Sequence, residues 1–208
     1  MDIISLCTIM VLAAFFLQMA VGKMIIVSGK WWKRLLMLFS CWILLGTIIY
    51  IGDATNIIWA ISFFLVVIQI VCEGGFWKKI VIGLMFSSTV FAFNALRDNY
   101  ILTVHVRYVE PVRATIVSSC CALLFTLLLH TGIRRFAPDR EYSLSESMWK
   151  LLLLLTMTPC GVVLSVIVLH PLSDTHGFDY ILILIIALLS IIGLLWTVMV
   201  LAKQQKLE

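Results

Sequence analysis

The segment Ile181–Leu189 reads ILILIIALL, and Leu151–Leu155 is an unbroken run of leucine. Neither alternates apolar with polar residues, as the lipid-facing strands of a barrel do. Neither leaves a polar face for water. A helix that is apolar on every side belongs in a large core or in lipid. Charged residues make up 12% of the 208-residue chain and hydrophobic residues 62%, whereas a soluble domain is about 25% charged. An ordinary soluble globule is excluded. So is a disordered chain, which is poor in aliphatic and aromatic residues. Six cysteines, all in or at the ends of apolar stretches, do not make a secreted disulfide scaffold, and buried Cys acts as a small hydrophobe. The expectation is an all-α, polytopic transmembrane helical bundle.

A bilayer core about 30 Å thick takes about 20 apolar residues in a helix. Seven stretches meet or approach that length, at about 3–22, 35–51, 57–72, 80–96, 112–133, 149–169 and 180–202. The second, third and fourth are short. Flanking Tyr50, Trp59, Phe76 and Trp77 extend them into the interfacial region that amphipathic aromatics favour. Six spans is the main rival count. Met1-Asp2-Ile3 offers no basic leader and no cleavage site, so the first span is expected to stay as an anchor. Residues 1–202 form the membrane domain and 203–208 the start of a cytoplasmic helix.

Charge sets the orientation. Lys23, Lys30, Lys33, Arg34, Lys78, Lys79, Arg134, Arg135, Arg140, Lys150, Lys203 and Lys206 fall in one set of connections. Those are twelve of the fifteen Lys and Arg residues. Arg97, Arg107 and Arg113 occupy one connection of the other set. Basic loops face the cytoplasm, so seven spans put the N-terminus outside and the C-terminus inside. Asp2, Asp53, Asp98, Glu110, Asp174 and Asp179 then lie outside, where acidic residues collect because basic ones are excluded.

The turns Gly52–Asn56 and Glu73–Gly75 are tight by composition. Two outer connections are longer. Arg97–Pro111 (RDNYILTVHVRYVEP) alternates Tyr100, Leu102, Val104, Val106, Tyr108 and Glu110 against Ile101, Thr103, His105, Arg107 and Val109, as a surface-lying strand or an extension of the fifth span would. It suits recognition of an anionic or amphipathic ligand, although an interfacial linker anchored by Tyr and Arg is the simpler reading. His170–Asp179 (HPLSDTHGFD) carries His170, Asp174, His176 and Asp179. Its spacing matches no zinc pattern, and plain surface polarity is the simpler reading. A pH-sensing role rests only on histidine titrating near pH 6.5.

Ionisable residues inside the expected spans are scarce. His130 and Lys23 lie near inner ends. Gln18, Gln69 and Asn94 are neutral and expected to hydrogen-bond between helices. A pump or ion-coupled transporter would usually carry carboxylates or histidines in its core. Pro159 removes a backbone donor from the sixth span and kinks it, with Gly161 beside it, as a hinge or as a static bend. There is no HExxH, GxSxG or Walker A pattern. No catalytic residue, metal, cofactor or nucleic-acid partner is expected, and the chain as given is not expected to be an enzyme.

After Leu201, Ala-Lys-Gln-Gln-Lys-Leu-Glu contains only good helix formers, with no Gly or Pro stop. Leu194, Val198, Leu201 and Gln205 follow a 4-3-4 spacing. The span plan, the tight early loops, Ser147-Met148-Trp149-Lys150 before Leu151–Leu155 and Pro159, and this exit helix together resemble a family. It is the N-terminal membrane sensor half of Firmicutes sensor histidine kinases with a GHKL-type ATPase domain, the accessory-gene-regulator type of peptide-pheromone receptor. The phosphoacceptor His with its following Asp, the Asn-rich ATP-binding box and the kinase half do not occur in these residues.

The resemblance implies a sensor module in a two-component, quorum-sensing type of pathway. Ligand, such as an extracellular peptide, would contact Asp53, Asn56, Arg97, Asp98, Tyr100, His105, Arg107, Tyr108, Arg113, His170, Asp174 and His176. Pro159, Gly161, Lys203 and Gln204 would carry the signal inward, and two copies would pair as a homodimer in a bacterial plasma membrane. A small transporter or permease component, or a membrane subunit that binds a partner through its helices, is the alternative.

Overall fold

A computed structural model describes residues 3–47, 54–100, 111–136, 144–169 and 177–204. They form seven helices: α1 (Ile3–Met24), α2 (Trp31–Gly46), α3 (Ala54–Val71), α4 (Phe76–Tyr100), α5 (Pro111–Phe136), α6 (Glu146–Leu169) and α7 (Gly177–Gln204). Each expected span has its helix, with shifted boundaries. Most helices run two to four residues beyond the apolar stretch, because Lys, Trp and Glu at the ends reach water from within a helix. Helix α2 is displaced bodily, starting at Trp31 and ending at Gly46. Thr47 terminates it in an extended conformation, with its N–H and Oγ1 both bonded to the Ile43 carbonyl.

Among the described residues, five helices are long and apolar enough to cross a membrane: those containing Leu6–Met24, Phe76–Asp98, Ala114–Phe136, Glu146–Val166 and Ile181–Ala202. Helix α2, with 16 residues, is about 24 Å long at 1.5 Å per residue, which falls short of the bilayer core. Helix α3 is marginal by the same measure.

The helices alternate in direction. The α1–α2 and α3–α4 connections meet through an antiparallel bridge between Val27 and Cys72. Ser28 N–H donates to Val71 O at 3.1 Å and Glu73 N–H to Ile26 O at 2.8 Å. Gly74 makes the second turn possible by adopting φ +120°, a region open to glycine at little cost. At the same end Trp77 of α4 meets Glu146 of α6, and Phe136 of α5 packs on Trp196 of α7, ring centroids 4.1 Å apart. Lys23, Lys30, Lys33, Arg34, Lys78, Lys79, Arg134, Arg135 and Lys150 therefore share one end of the bundle, nine of the twelve that charge had grouped; Arg140 and Lys206 lie outside the described residues, as does the side chain of Lys203.

Helix α4 is the axis. It packs on α2, α3, α6 and α7, while α5 lies chiefly against α1. Of its apolar window 72% is buried, against 28–33% in the other four long helices. Its sequence explains this: Gly83, Ser87, Ser88, Thr89, Ala92 and Ala95 are small, and small residues let helices approach closely. At Gly83 a Cβ would sit 2.6 Å from Leu65 Cδ2 and 3.2 Å from Ile68 Cδ1 of α3. The outer helices instead present Leu128, Leu154, Leu189 and Trp59 to the surroundings. An apolar surface spread over several helices is what a lipid-facing bundle requires and what a soluble monomer avoids. The core joins Leu17, Leu44, Phe64, Phe86, Phe91 and Ile191 from five helices.

Gly83→Val should lower stability by about 1–3 kcal/mol through overpacking. Gly132→Ala, where an added Cβ meets nothing within 4 Å, should be neutral or stabilising by up to about 1 kcal/mol. Reversible unfolding in mixed micelles, followed by helical circular dichroism, measures both.

Candidate functional site

At the end of the bundle opposite the basic residues, α2 stops inside the protein. The last four carbonyls of any helix lack intrahelical donors. Here α4 supplies the donors. Asn94 Nδ2 donates to Leu44 O at 3.0 Å and to Thr47 O at 3.3 Å. Arg97 Nη1 donates to Leu45 O at 3.4 Å. A cation at a helix C-terminus also complements the helix dipole, an effect of about 0.3–1 kcal/mol and up to about 2 when partly buried.

Arg97 has a second partner. Its Nε donates to Asp98 Oδ1 at 2.8 Å, and the two side chains are only 6% and 8% exposed. The guanidinium lies 5.9 Å from the centroid of the Phe93 ring, which stacks on Phe125 of α5 at 4.0 Å. Asn94 is fully buried, and its Oδ1 meets no hydrogen-bond partner among the described residues. An uncompensated buried acceptor costs about 1–3 kcal/mol. The result is a buried polar patch made from α4 that closes α2 and reaches α5, with one acceptor left over.

Arg97 and Asp98 were expected in an outer loop. They stand instead on α4, which continues to Tyr100. Apolar counting ends the span at Leu96 because it scores each charge alone. The spacing Asn94, Arg97, Asp98 is i, i+3, i+4, one helical face, and that was the available signal. The expected scarcity of charge in the spans is corrected accordingly: an ion pair sits in the last turns of the most buried helix.

Among the other expected site residues, Asn56 is exposed near the start of α3. Tyr100 ends α4 and Arg113 lies in the first turn of α5, with side chains outside the described set. Asp53, His105, Arg107, Tyr108, His170, Asp174 and His176 lie outside the described residues. Lys203 and Gln204 are the last residues of α7, again without described side chains.

Pro159 is buried and Gly161 partly buried within α6, which stays helical through both. Next to them Cys160 Sγ and Ser88 Oγ of α4 share a hydrogen bond at 2.6 Å. The proline segment is thus held against the axial helix. Gln18 donates to Arg34 O and Gln69 to Phe76 O, so these two and Asn94 all bond to a neighbouring helix, as expected. Val198 of the 4-3-4 seam is fully buried in the bundle's own core.

No family model, curated protein or solved structure matches the chain.

Arg97→Met deprives the buried Asp98 carboxylate of its counter-ion and should destabilise by about 3–5 kcal/mol. The double variant Arg97→Met, Asp98→Leu should recover a large part of that loss. Unfolding in mixed micelles reads both, and a double variant no more stable than Arg97→Met would remove the ion pair from this account.

Proposed function

We propose that this chain is the input module of a bacterial membrane receptor. In this reading all seven helices cross the plasma membrane, with the N-terminus outside and the basic end in the cytoplasm. An extracellular signal, such as a peptide, acts at the end of the bundle that holds Asn94, Arg97 and Asp98. The change passes along α4 to α6 and α7, and leaves through Lys203 and Gln204. This is the plan of the peptide-pheromone sensor kinases that the sequence resembles.

The observation that carries the reading is the position of the polar patch. Asn94, Arg97 and Asp98 stand on α4, the same helix that packs on α6 and α7. A ligand shifts an equilibrium only by its differential affinity for two arrangements. A buried patch whose Asn94 Oδ1 meets no donor among the described residues, at the outward end, is where an added polar partner would favour one arrangement over the other. Short helices α2 and α3 fit this plan if their ends sit in the interface, with exposed Trp31, Trp32 and Trp59 in the aromatic belts. Pairing of two copies would use the outward stripe of α7, Ile185, Leu189, Ile192, Trp196 and Val200.

The buried ion pair also favours a second reading, a small transporter, because intramembrane charges often mark a pathway. Against it, the pair lies at one end, and the described stretch of α4 between Lys79 and Arg97 carries no ionisable side chain.

Fusion of α7, in helical phase after Gln204, to a histidine-kinase core lacking its own input provides the test. Conditioned medium from the source bacterium should change autophosphorylation at least about fivefold, the lower range of allosteric coupling. Asn94→Leu should abolish the response while the chimera remains in the membrane. Unchanged phosphorylation, together with solute flux in proteoliposomes, would replace the receptor with the transporter.

A further inference from the structure

Lys30-Trp31-Trp32-Lys33-Arg34-Leu35 gathers three cations and three large apolar side chains at the start of α2. Helix stability does not account for the cations. The N-terminal end of a helix carries partial positive charge and favours anions. The first turn of α2 has no acidic residue, and the N-cap Lys30 makes no side-chain cap bond. Carboxylates do not balance the cations either. The ion pairs among the described residues are Arg97–Asp98 and Lys150–Glu146, so Lys30, Lys33 and Arg34 have no such partner there. The adjoining α3–α4 connection carries one acid, Glu73, whose N–H bonds to Ile26 O. Three cations against one carboxylate leave this surface positive. The cleft of about 470 Å³ at the same end, between the starts of α4 and α6, differs. Its lining holds one cation, Lys78, and one anion, Glu146, and favours neither sign.

The apolar side chains are as conspicuous as the charges. Trp31 is 74% exposed, Trp32 43% and Leu35 55%. Fully burying a single Leu side chain is worth about 1.5–3 kcal/mol, so water is a poor surrounding for this face. The segment is held in place from behind. Gln18 of α1 donates to Arg34 O at 3.1 Å, and Ser28 N–H donates to Val71 O at 3.1 Å. Lys33 Nζ lies 5.7 Å from the centroid of the Trp32 ring. Cations and indoles are thus presented together from a fixed backbone.

The headgroup layer of a bilayer meets both demands. It takes indole rings at the edge of the apolar core, and acidic lipids attract Lys and Arg clustered beside a membrane helix. The length of α2 sets the depth. Its far end is closed inside the protein by Asn94 and Arg97. Its 16 residues cover about 24 Å of a core about 30 Å thick. The first turn therefore stops near the level of the lipid phosphates instead of projecting into water. We infer that the first turn of α2 docks acidic phospholipid headgroups of the leaflet at the basic end. Lys30, Lys33 and Arg34 meet the phosphates, and Trp31, Trp32 and Leu35 lie among the adjoining acyl chains. The inference rests on the chain lying in a membrane and not on its being a receptor; resistance to alkaline carbonate extraction tests the membrane placement separately.

The full chain, purified in neutral detergent, is titrated with phosphatidylglycerol or phosphatidylcholine, and bound lipid is counted by native mass spectrometry. Phosphatidylglycerol should bind preferentially. Lys33→Gln should weaken its binding about fivefold, corresponding to about 1 kcal/mol for one interfacial cation. The triple variant Lys30→Gln, Lys33→Gln, Arg34→Gln should remove the preference, with helical circular dichroism intact. A second triple variant, Lys23→Gln, Arg134→Gln, Arg135→Gln, takes the same charge from the same end and should keep it. Lys30→Arg with Lys33→Arg retains the charge and should also keep it. Equal binding of the two lipids overturns the inference, as does loss of the preference in the arginine variant. An equal loss in the two triple variants overturns it too, because the effect would then be diffuse charge. So does displacement of the lipid by inorganic phosphate, which would mark a site for a free anion.

Discussion

A helix that ends inside a protein must find donors for its last carbonyls, and in this molecule one neighbouring helix provides them. Asn94 and Arg97 of α4 close the C-terminus of α2. That bond set fixes the register of the two helices and holds a charge where the apolar layer would otherwise continue. It also commits the final turns of α4 to a polar role. The rest of the arrangement follows from α4 being the axis: small residues on it admit α3 and α6 closely, Ser88 grips Cys160 beside Pro159, and α7 packs along it.

The two ends of the bundle are chemically unlike. One gathers the basic side chains and ties its connections by backbone hydrogen bonds between residues 26–28 and 71–73. It is laced by the Trp77, Glu146 and Lys150 contacts and carries an open cleft. Among the described residues, the other buries an ion pair and an amide, and one amide oxygen finds no partner there.

Helix number, helix order and the grouping of basic residues were legible in the sequence, because apolar runs and charge bias are additive signals along the chain. Boundaries were not. Hydropathy stops at the first charge, so Arg97 and Asp98 read as loop although they continue the α4 face that begins at Asn94. Trp31, Lys33 and Arg34 read as a connection although they open α2. The cleft was invisible because it joins residues far apart in sequence, Gly75 and Trp77 with Glu146 and Trp149, and pairing between distant segments leaves no local pattern.

The central claim is that the Asn94, Arg97 and Asp98 patch faces outward, at the far side of the membrane from the basic end. Single cysteines at Asn56 and at Lys30, in a chain whose six native cysteines are replaced by alanine, test it with a membrane-impermeant maleimide on intact cells. Asn56→Cys should label from outside and Lys30→Cys only after permeabilisation. Labelling of both from the same side would mean that α2 does not cross, and would contradict the account.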